Sequence, residues 1–328
     1  MRVIDIHAHV IPPAFFELAA EGVLKNIAVD EKDGRPIRIN FGQGSFHPLT
    51  DLFLSLPARL AFMENNSVGC QVISVSPRLF FYDLPPAKGQ FVCRKFNDDL
   101  LSMEKSCSGK QLAMGSVPLQ DPLLAAEELE RLSLMGVRSV QIGAFVNGQN
   151  LADRKFWPFF AAAEQLGVSI LLHPLINNDL AEMSQYHLSN LVGNPWQTTV
   201  AAANLLFCGV FDAYPGLKIL LAHGGGFLPY QAGRLTHGYK VRGETKKDSR
   251  RPPAEYIRKN FFFDALTHNK AALAFLLQSV GADRVLFGTD FPYDMAEYDE
   301  LEKIKALGED EAVLRKIAGE NALKWLGK

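Results

Sequence analysis

The chain lacks the features of a membrane protein, a nucleic-acid-binding protein or a disulfide-stabilised secreted domain. It has no run of about 18 apolar residues, the length needed to cross a bilayer as a helix. Its 34 lysines and arginines are matched by 36 aspartates and glutamates, so there is no basic excess for nucleic acid. The four cysteines show no CxxC spacing, and no signal-peptide segment opens the sequence. We expect a cytoplasmic protein with reduced thiols and with neither a membrane nor a nucleic acid as partner.

What the sequence does contain is an alternation of short apolar runs and helical stretches over 328 residues. That length fits one barrel of roughly 250 residues with insertions. The alternation predicts an α/β fold, a (β/α)8 TIM barrel in which helices cover parallel strands, with residues 1–328 as a single domain. Eight runs are predicted as strands: Val3 to His7, Gln71 to Val75, Leu112 to Val117, Val137 to Ile142, Val168 to His173, Leu217 to His223, Phe261 to Asp264 and Val285 to Asp290.

Two segments depart from this alternation. Between about residues 11 and 50, the motif DGRP separates two runs of alternating apolar residues, which is a hairpin signal. We therefore predict a small β insertion after the first strand. After Asp290, two helical segments at about 296–307 and 309–326 are predicted to pack outside the barrel or at its bottom.

Five residues that can ligate a metal each close one of the predicted strands. They are His7 and His9 in VIDIHAHVIP, His173 in SILLHP, His223 in KILLAHGGG and Asp290 in VLFGTDFP. In a parallel barrel the strand ends converge at one face, where side chains distant in sequence meet. A single histidine before a turn is more often structural, but five such residues at strand ends predict a metal centre and a metal-dependent enzyme.

The HxH pair is the most specific part of this pattern. Residues i and i+2 of a strand project to the same side, so His7 and His9 are predicted to point together while Ile6 and Ala8 face the helices. Two imidazoles, a third nitrogen and a carboxylate suit Zn²⁺ and leave a position for water. Mn²⁺, Co²⁺ and Fe²⁺ accept the same ligands. We predict one divalent ion, with Zn²⁺ as the first choice.

The motifs DIHAHVIP, LLHP, HGGGFLPYQAGR and FGTDFPY resemble the amidohydrolase superfamily, in the branch of α-amino-β-carboxymuconate-ε-semialdehyde decarboxylase. The resemblance runs from the first strand to the C-terminal helices. It implies that His7, His9, His173 and Asp290 hold the metal and that His223 is the catalytic acid or base, with Asp290 also serving catalysis. Imidazole titrates near neutral pH, which suits this task.

The same resemblance implies two arginines at a substrate carboxylate. Arg59 in LPARLAFMENN and Arg234 in GFLPYQAGR match positions that grip the carboxylate, the second reaching in from a neighbouring subunit. A homodimer or larger homo-oligomer is therefore expected. Arg78 in VSPRLFFYD, just after the second strand, is a third candidate contact. Without the motif context, Arg59 is interpreted as a surface helix residue and Arg234 as a helix cap.

The loop after the fifth strand departs from the family pattern. It contains Tyr186 and His187, and Asn190 stands where a tryptophan is expected just before LVG. We therefore expect the substrate to differ from that of the family's namesake. A cluster of aromatic residues either stacks on a planar acid or packs in the core. Its members are Phe80, Phe81, Tyr82 and Phe291.

We interpret the chain as a metal-dependent, non-oxidative decarboxylase of a small aromatic or conjugated carboxylic acid of the muconate-semialdehyde type. Protonation of the carbon next to the leaving carboxylate, with His223 in the proton path, would release carbon dioxide without an organic cofactor. The alternative is a metal-dependent hydrolase or hydratase acting on a lactone, an amide or an unsaturated acid, because the same centre delivers activated water. A non-catalytic ligand-binding barrel would leave the five strand-end residues unexplained.

Overall fold

The structure is a computed structural model that describes residues 2–42, 45–174 and 181–328. Its strands are β1 (Ile4–Val10), β2 (Ala28–Lys32), β3 (Arg35–Asn40), β4 (Phe46–Pro48), β5 (Cys70–Val75), β6 (Gln111–Ala113), β7 (Gly115–Ser116), β8 (Ser139–Gly143), β9 (Phe145–Val146), β10 (Gln149–Asn150), β11 (Ser169–His173), β12 (Ile219–Leu221), β13 (Phe261–Asp264) and β14 (Val285–Leu286). Its α-helices are α1 (Pro13–Ala20), α2 (Asp51–Leu54), α3 (Leu56–Asn65), α4 (Pro86–Ser106), α5 (Pro122–Leu134), α6 (Trp157–Gln165), α7 (Asn194–Phe207), α8 (Val210–Ala213), α9 (Leu228–Val241), α10 (Pro253–Asn260), α11 (Lys270–Val280), α12 (Glu300–Ala306), α13 (Glu311–Arg315) and α14 (Asn321–Trp325). Each of the predicted strands overlaps an observed one.

Nine of the described strands form two parallel sheets whose order follows the chain. One sheet has the order β1-β5-β6 and the other the order β7-β8-β11-β12-β13-β14. Only Met114 separates β6 from β7, and its backbone N–H donates to the carbonyl of Ile73 at 2.9 Å. Beyond β14, the N–H of Ile6 donates to the carbonyl of Phe287 at 3.0 Å. The first strand thus lies beside the segment that continues β14, and the predicted α/β architecture is confirmed.

Alternate residues of the parallel strands belong to different apolar clusters. Ile170 and Leu172 of β11 pack in a large cluster with helical residues, whereas Leu171 lies in a smaller one shared with β1, β5, β12, β13 and β14. Ile6 also lies in the smaller cluster, in which α14 is the one described helix that takes part, so Ile6 does not pack against the other helices as predicted. The register of β1 shifts between Asp5 and Ala8, and such an irregularity interrupts the side-to-side alternation of a strand.

A separate antiparallel sheet of three strands lies between β1 and β5 in the chain. Asp33 and Gly34 join β2 to β3, and both have positive φ, 54° and 71°. A two-residue hairpin turn of this type needs left-handed backbone at both positions, which the Asp-Gly pair provides. β3 pairs in turn with β4, whose central residue is His47. Nε2 of His47 lies 3.2 Å from the hydroxyl of Tyr293, so β4 contacts the segment that follows Asp290.

Two further features concern the whole described chain. Among the described residues, no helix combines the length and the apolar character that a membrane span requires. The four cysteines are unpaired, with Cys70, Cys93 and Cys107 buried. Burial raises the pKa of the Cys70 thiol to about 11, so this side chain is protonated and unreactive at neutral pH.

Candidate metal centre

The five predicted site residues meet where the parallel strands end. β1 carries His7 and His9, β11 ends at His173, and His223 and Asp290 follow β12 and β14. One ligand atom from each of His7, His173, His223 and Asp290 lies within 4.8 Å of the others. The Nε2 atom of His9 lies 3.1 Å from Oδ1 of Asp290. The structure therefore brings all five side chains into one cluster.

Three of the four imidazoles in this cluster are held by an acceptor at Nδ1. The pairs are His7 with the Asp264 carboxylate at 2.8 Å, His9 with the Val75 carbonyl at 3.2 Å and His173 with the Pro174 carbonyl at 2.7 Å. An acceptor at this position fixes the ring proton on Nδ1 and leaves the lone pair on Nε2. Each of these rings is therefore oriented to offer Nε2 as a ligand atom.

The Nε2 lone pairs and one carboxylate oxygen occupy the same buried space. Nε2 of His7, His9 and His173 and Oδ1 of Asp290 are buried and have no hydrogen-bond partner among the described residues. Burying polar atoms without partners is unfavourable, because they lose their hydration and gain nothing in return. A cation bound between them removes this penalty. Imidazole nitrogens with one carboxylate are a donor set that fits a divalent metal ion.

The electrostatics of the cluster favour the metal-binding protonation states of Asp290 and His173. For His7 the direction is opposite: burial lowers its pKa, but the carboxylates of Asp290 and Asp264 outweigh burial and raise this pKa above its usual value. Burial alone would raise the pKa of Asp290, but the charge on His7 and the neighbouring imidazoles hold this pKa well below its usual range. Burial and the charge on His7 together hold the pKa of His173 well below its usual value. The carboxylate is therefore ionised and the His173 imidazole neutral, which are the forms that bind a metal.

His223 differs from the other histidines of the cluster. Its Nδ1 has no hydrogen-bond partner among the described residues, and its Nε2 lies 3.5 Å from Oδ2 of Asp290. Its side chain is 17% exposed and lines a cavity of about 600 Å³ together with Asp290. Both residues have positive φ, 57° and 61°, a strained conformation that is concentrated at functional sites. Among the described residues, His223 therefore differs from the other three histidines in having no acceptor at Nδ1 and in lining this cavity.

Asp264 is a site residue that the sequence analysis assigned only to the end of a strand. Its Oδ2 lies 2.8 Å from Nδ1 of His7 and accepts the backbone N–H of His223 at 2.9 Å. Its Oδ1 accepts the N–H of Gly224 at 2.6 Å. One buried carboxylate therefore orients His7 and anchors the turn that carries His223. The signal was present in the sequence, because Asp264 closes the apolar run FFFD as the other site residues close theirs.

The structure buries Arg59 beside β1, outside the cavity. Its side chain is 1% exposed; Nη1 donates to Oε1 of Gln71 at 2.9 Å, and Nη2 donates to the carbonyls of His9 and Leu52. The guanidinium also packs on the ring of Phe291 at 4.5 Å. Burial lowers the pKa of Arg59 to about 9. Because these contacts occupy the guanidinium, we correct the expected contact with a substrate carboxylate to a structural one.

The other two arginines that were predicted to contact the substrate, Arg78 and Arg234, form no ion pair with a carboxylate among the described residues. Arg78 is half-buried, donates to Oγ of Ser45 and lines a second cavity of about 530 Å³. Arg234 is exposed on α9. Within the described part of the chain, no lysine or arginine lines the cavity that holds His223 and Asp290. For an anionic group in that cavity, the cationic partners are therefore a metal, a protonated His223 or His268, or a group from another subunit.

The aromatic cluster divides between the core and the second cavity. Phe80 and Phe291 are 2% and 0% exposed and pack in the core, whereas Phe81 and Tyr82 line the cavity that contains Arg78. Part of the loop after β11, residues 175–180, lies outside the described residues. Tyr186, in the described part of that loop, is 83% exposed. Of the four aromatic residues, Phe81 and Tyr82 are therefore the ones that could stack on a planar acid.

The family model described as Amidohydrolase matches residues 4–328, and the chain belongs to this family. The chain is 31% identical over 330 residues to the 2-amino-3-carboxymuconate-6-semialdehyde decarboxylase of Dictyostelium discoideum, covering 99% of this chain and 91% of that protein. The apo structure of Metarhizium anisopliae IDCase matches with a TM-score of 0.86 at 25% identity, over 99% of this chain and 97% of that one. A Polaromonas sp. JS666 dihydroxybenzoic acid decarboxylase, solved with manganese and 2-nitroresorcinol, matches with a TM-score of 0.80 at 23% identity, over 99% of this chain and 97% of that one.

These relationships bear on two predictions made from the sequence. The resemblance to amidohydrolase-superfamily decarboxylases is confirmed. The predicted enzyme class, a carboxy-lyase, is also confirmed, and the hydrolase alternative is not required.

Replacing Asp264 by Asn is expected to weaken divalent-metal binding by roughly 10- to 100-fold, the usual effect of losing a partner that orients a ligand. The neutral amide no longer provides a carboxylate for Nδ1 of His7. Isothermal titration with Mn²⁺ measures the change. The matched control is Asp99→Asn, which removes a carboxylate that accepts the backbone N–H of Ala14. Wild-type affinity in the Asp264 variant would contradict the role assigned to this carboxylate.

Proposed function

We propose that the protein is a metal-dependent, non-oxidative decarboxylase of an aromatic or conjugated carboxylic acid, in the range of muconate-semialdehyde-like substrates. The observation that carries this proposal is the contrast among the histidines. Among the described residues, His7, His9 and His173 have an acceptor at Nδ1 and a buried, unpartnered Nε2 beside Asp290. His223 has no acceptor at Nδ1 and lines the cavity. The contrast supports the first three histidines and Asp290 as metal ligands. It supports His223 as the group that transfers a proton.

The substrate range rests on the relatives. They include decarboxylases named for a muconate semialdehyde and for a dihydroxybenzoic acid, both conjugated carboxylic acids. A metal bound by the cluster would act as a Lewis acid that stabilises negative charge on a substrate oxygen. The Polaromonas structure contains manganese, and this donor set accepts Mn²⁺ as well as Zn²⁺. Zn²⁺ therefore stays a prediction for the bound ion, with Mn²⁺ as the other candidate.

The side chains of the protein bind the acid and move one proton. Leu266 and Leu276 line the cavity beside His223 and give it an apolar wall that suits a planar conjugated acid. A ring nitrogen of His223 gives a proton to the carbon that carries the carboxylate. The bond between that carbon and the carboxylate then breaks, and its electron pair restores the conjugated system as carbon dioxide leaves. One proton is consumed and no electron is transferred to an acceptor, so neither an oxidant nor an organic cofactor takes part.

We further propose that the parallel strands close into a (β/α)8 barrel, with residues 11–50 as an insertion and residues 1–328 as one domain. Hydrogen bonds between β1 and the segment after β14 support the closure, and the sheet β2-β3-β4 supports the insertion. We also infer that the active form is a homodimer or a larger homo-oligomer in which Arg234 binds the substrate carboxylate of a neighbouring subunit. The absence of lysine and arginine from the described lining of the cavity supports this arrangement. Arg78 stays a second candidate contact, and the cytoplasmic location stays a prediction.

Carbon dioxide release tests the reaction directly. We expect the Mn²⁺-loaded or Zn²⁺-loaded protein to release carbon dioxide from at least one member of a panel of aromatic and muconate-type acids, with a matching change in absorbance. Lactones and amides serve as the comparison panel. Hydrolysis of these compounds without carbon dioxide release from any acid would replace the decarboxylase proposal with the hydrolase alternative.

Two histidine variants separate metal binding from proton transfer. His9→Ala is expected to lose bound metal and activity together, because it removes one of the buried Nε2 donors. His223→Ala is expected to keep its metal and to lose about 10²- to 10⁴-fold in rate, the usual contribution of general acid–base catalysis. Metal content is measured by elemental analysis, with circular dichroism to verify the fold. If the His223 variant loses its metal and the His9 variant keeps it, the assignment is reversed: His223 is then a metal ligand and His9 is not.

Mixing two inactive variants tests the shared site. His223→Ala lacks the proton donor but carries Arg234, whereas Arg234→Ala carries His223 but lacks the arginine. A hybrid dimer then contains one complete site, so the mixture is expected to regain part of the wild-type activity. Subunit exchange is followed independently by native mass spectrometry. A mixture that exchanges subunits and stays inactive would return Arg234 to a role on the surface of its own subunit.

A further inference from the structure

A ring of hydrogen-bonded and packed side chains lies directly behind the metal cluster, and we call it the buried ring. Its members are at most 1% exposed and come from four parts of the chain, namely β1, α3, β5 and the segment after β14. They are Asp5, Gln71, Arg59, Thr289 and Phe291. None of them lines either of the two large cavities, so the ring is not a ligand-binding surface.

Asp5 is the acceptor at the centre of the buried ring. Its Oδ1 accepts the backbone N–H groups of His7 and Thr289, each at 3.1 Å. Its Oδ2 accepts the Thr289 hydroxyl at 2.7 Å and the Gln71 amide at 3.1 Å. One carboxylate therefore connects the backbone at His7 with the residue that precedes Asp290.

Arg59 and Phe291 complete the buried ring on the opposite side. Arg59 donates to the Gln71 amide oxygen and to the His9 carbonyl, and its guanidinium packs on the ring of Phe291. The N–H of Phe291 donates to Oγ1 of Thr289 at 3.2 Å. The N–H of His9 also donates to the carbonyl of Phe291 at 2.6 Å. The ring thus holds the residue on each side of Asp290 against the backbone of both β1 histidines.

Regular strand pairing covers this part of the site only partly. The register of β1 against β5 shifts between Asp5 and Ala8, where His7 lies, and β14 ends at Leu286, well before Asp290. Three backbone hydrogen bonds join β1 to the segment after β14, including one from the N–H of Asp290 to the carbonyl of His7 at 2.9 Å. The side-chain hydrogen bonds of the buried ring add to these backbone contacts. We propose that the buried ring is a positioning device that sets the distance between the β1 histidines and Asp290, and thereby the affinity of the site for its metal. This inference rests on the metal site of the proposed function.

Thr289 offers a nearly isosteric test of the buried ring. Thr289→Val removes the hydroxyl that donates to Asp5 and accepts from Phe291, and it keeps the shape of the side chain. We expect its Mn²⁺ dissociation constant to rise by roughly 10- to 100-fold, with an altered electron paramagnetic resonance spectrum of the bound ion. Thr289→Ser retains the hydroxyl and is expected to restore both. Arg59→Met is expected to act in the same direction if it folds.

The matched control is Ser169→Ala. This variant also removes a buried hydroxyl, which donates to the carbonyl of Trp325, and it lies on the strand that ends at His173. We expect lower thermal stability with wild-type Mn²⁺ affinity and spectrum. A Thr289→Val protein that binds Mn²⁺ like the wild type would overturn the inference and leave the proposed function standing. A wild-type protein that binds no divalent ion would overturn both, so the two failures are distinguishable.

Discussion

The crowding of unpaired ligand atoms in a buried space is the constraint on which the rest of the site depends. Nε2 atoms of three histidines and a carboxylate oxygen of Asp290 share that space without hydrogen-bond partners among the described residues. Such an arrangement loses free energy unless a cation binds there, because each atom gives up its hydration. A protein that keeps these atoms together must therefore fix the side chains through contacts with their other atoms. The remaining contacts of the site are explained by that need.

Each ligand side chain has its own support. The Nδ1 atoms of His7, His9 and His173 face a carboxylate or a backbone carbonyl, which orients the rings. Gly288 leaves room for this packing, since a Cβ atom at that position would lie 3.0 Å from the Cβ atoms of His7 and Asp264. Among the described residues, Nδ1 of His223 has no acceptor, and the His223 side chain is more exposed than those of His7 and His9. The structure therefore distinguishes three imidazoles held at Nδ1 from one that is not, and this difference is the basis of the proton-transfer role proposed for His223.

The elements and residues that the sequence predicted are those with a strong local signal. The apolar runs ending in His173 and Asp264 gave strand positions close to the observed ones, because buried parallel strands have a short, uninterrupted apolar pattern. The register shift in β1 near Ile6 could not be predicted, since it depends on pairing with β5 and not on the residues of β1 alone. The contacts of Arg59 could not be predicted from the family resemblance. A motif transfers a position in the chain, whereas the direction of a long side chain depends on partners such as Gln71 and the His9 carbonyl.

The central claim is that three Nε2 atoms and one Asp290 oxygen bind a metal while His223 stays free. An anomalous-scattering crystal structure of the Mn²⁺-loaded protein measures this most directly. We expect a single strong anomalous peak within bonding distance of Nε2 of His7, His9 and His173 and of an Asp290 oxygen, with no bond to His223. A peak bonded to His223 in place of His9, or no peak at this cluster at saturating Mn²⁺, would contradict the claim.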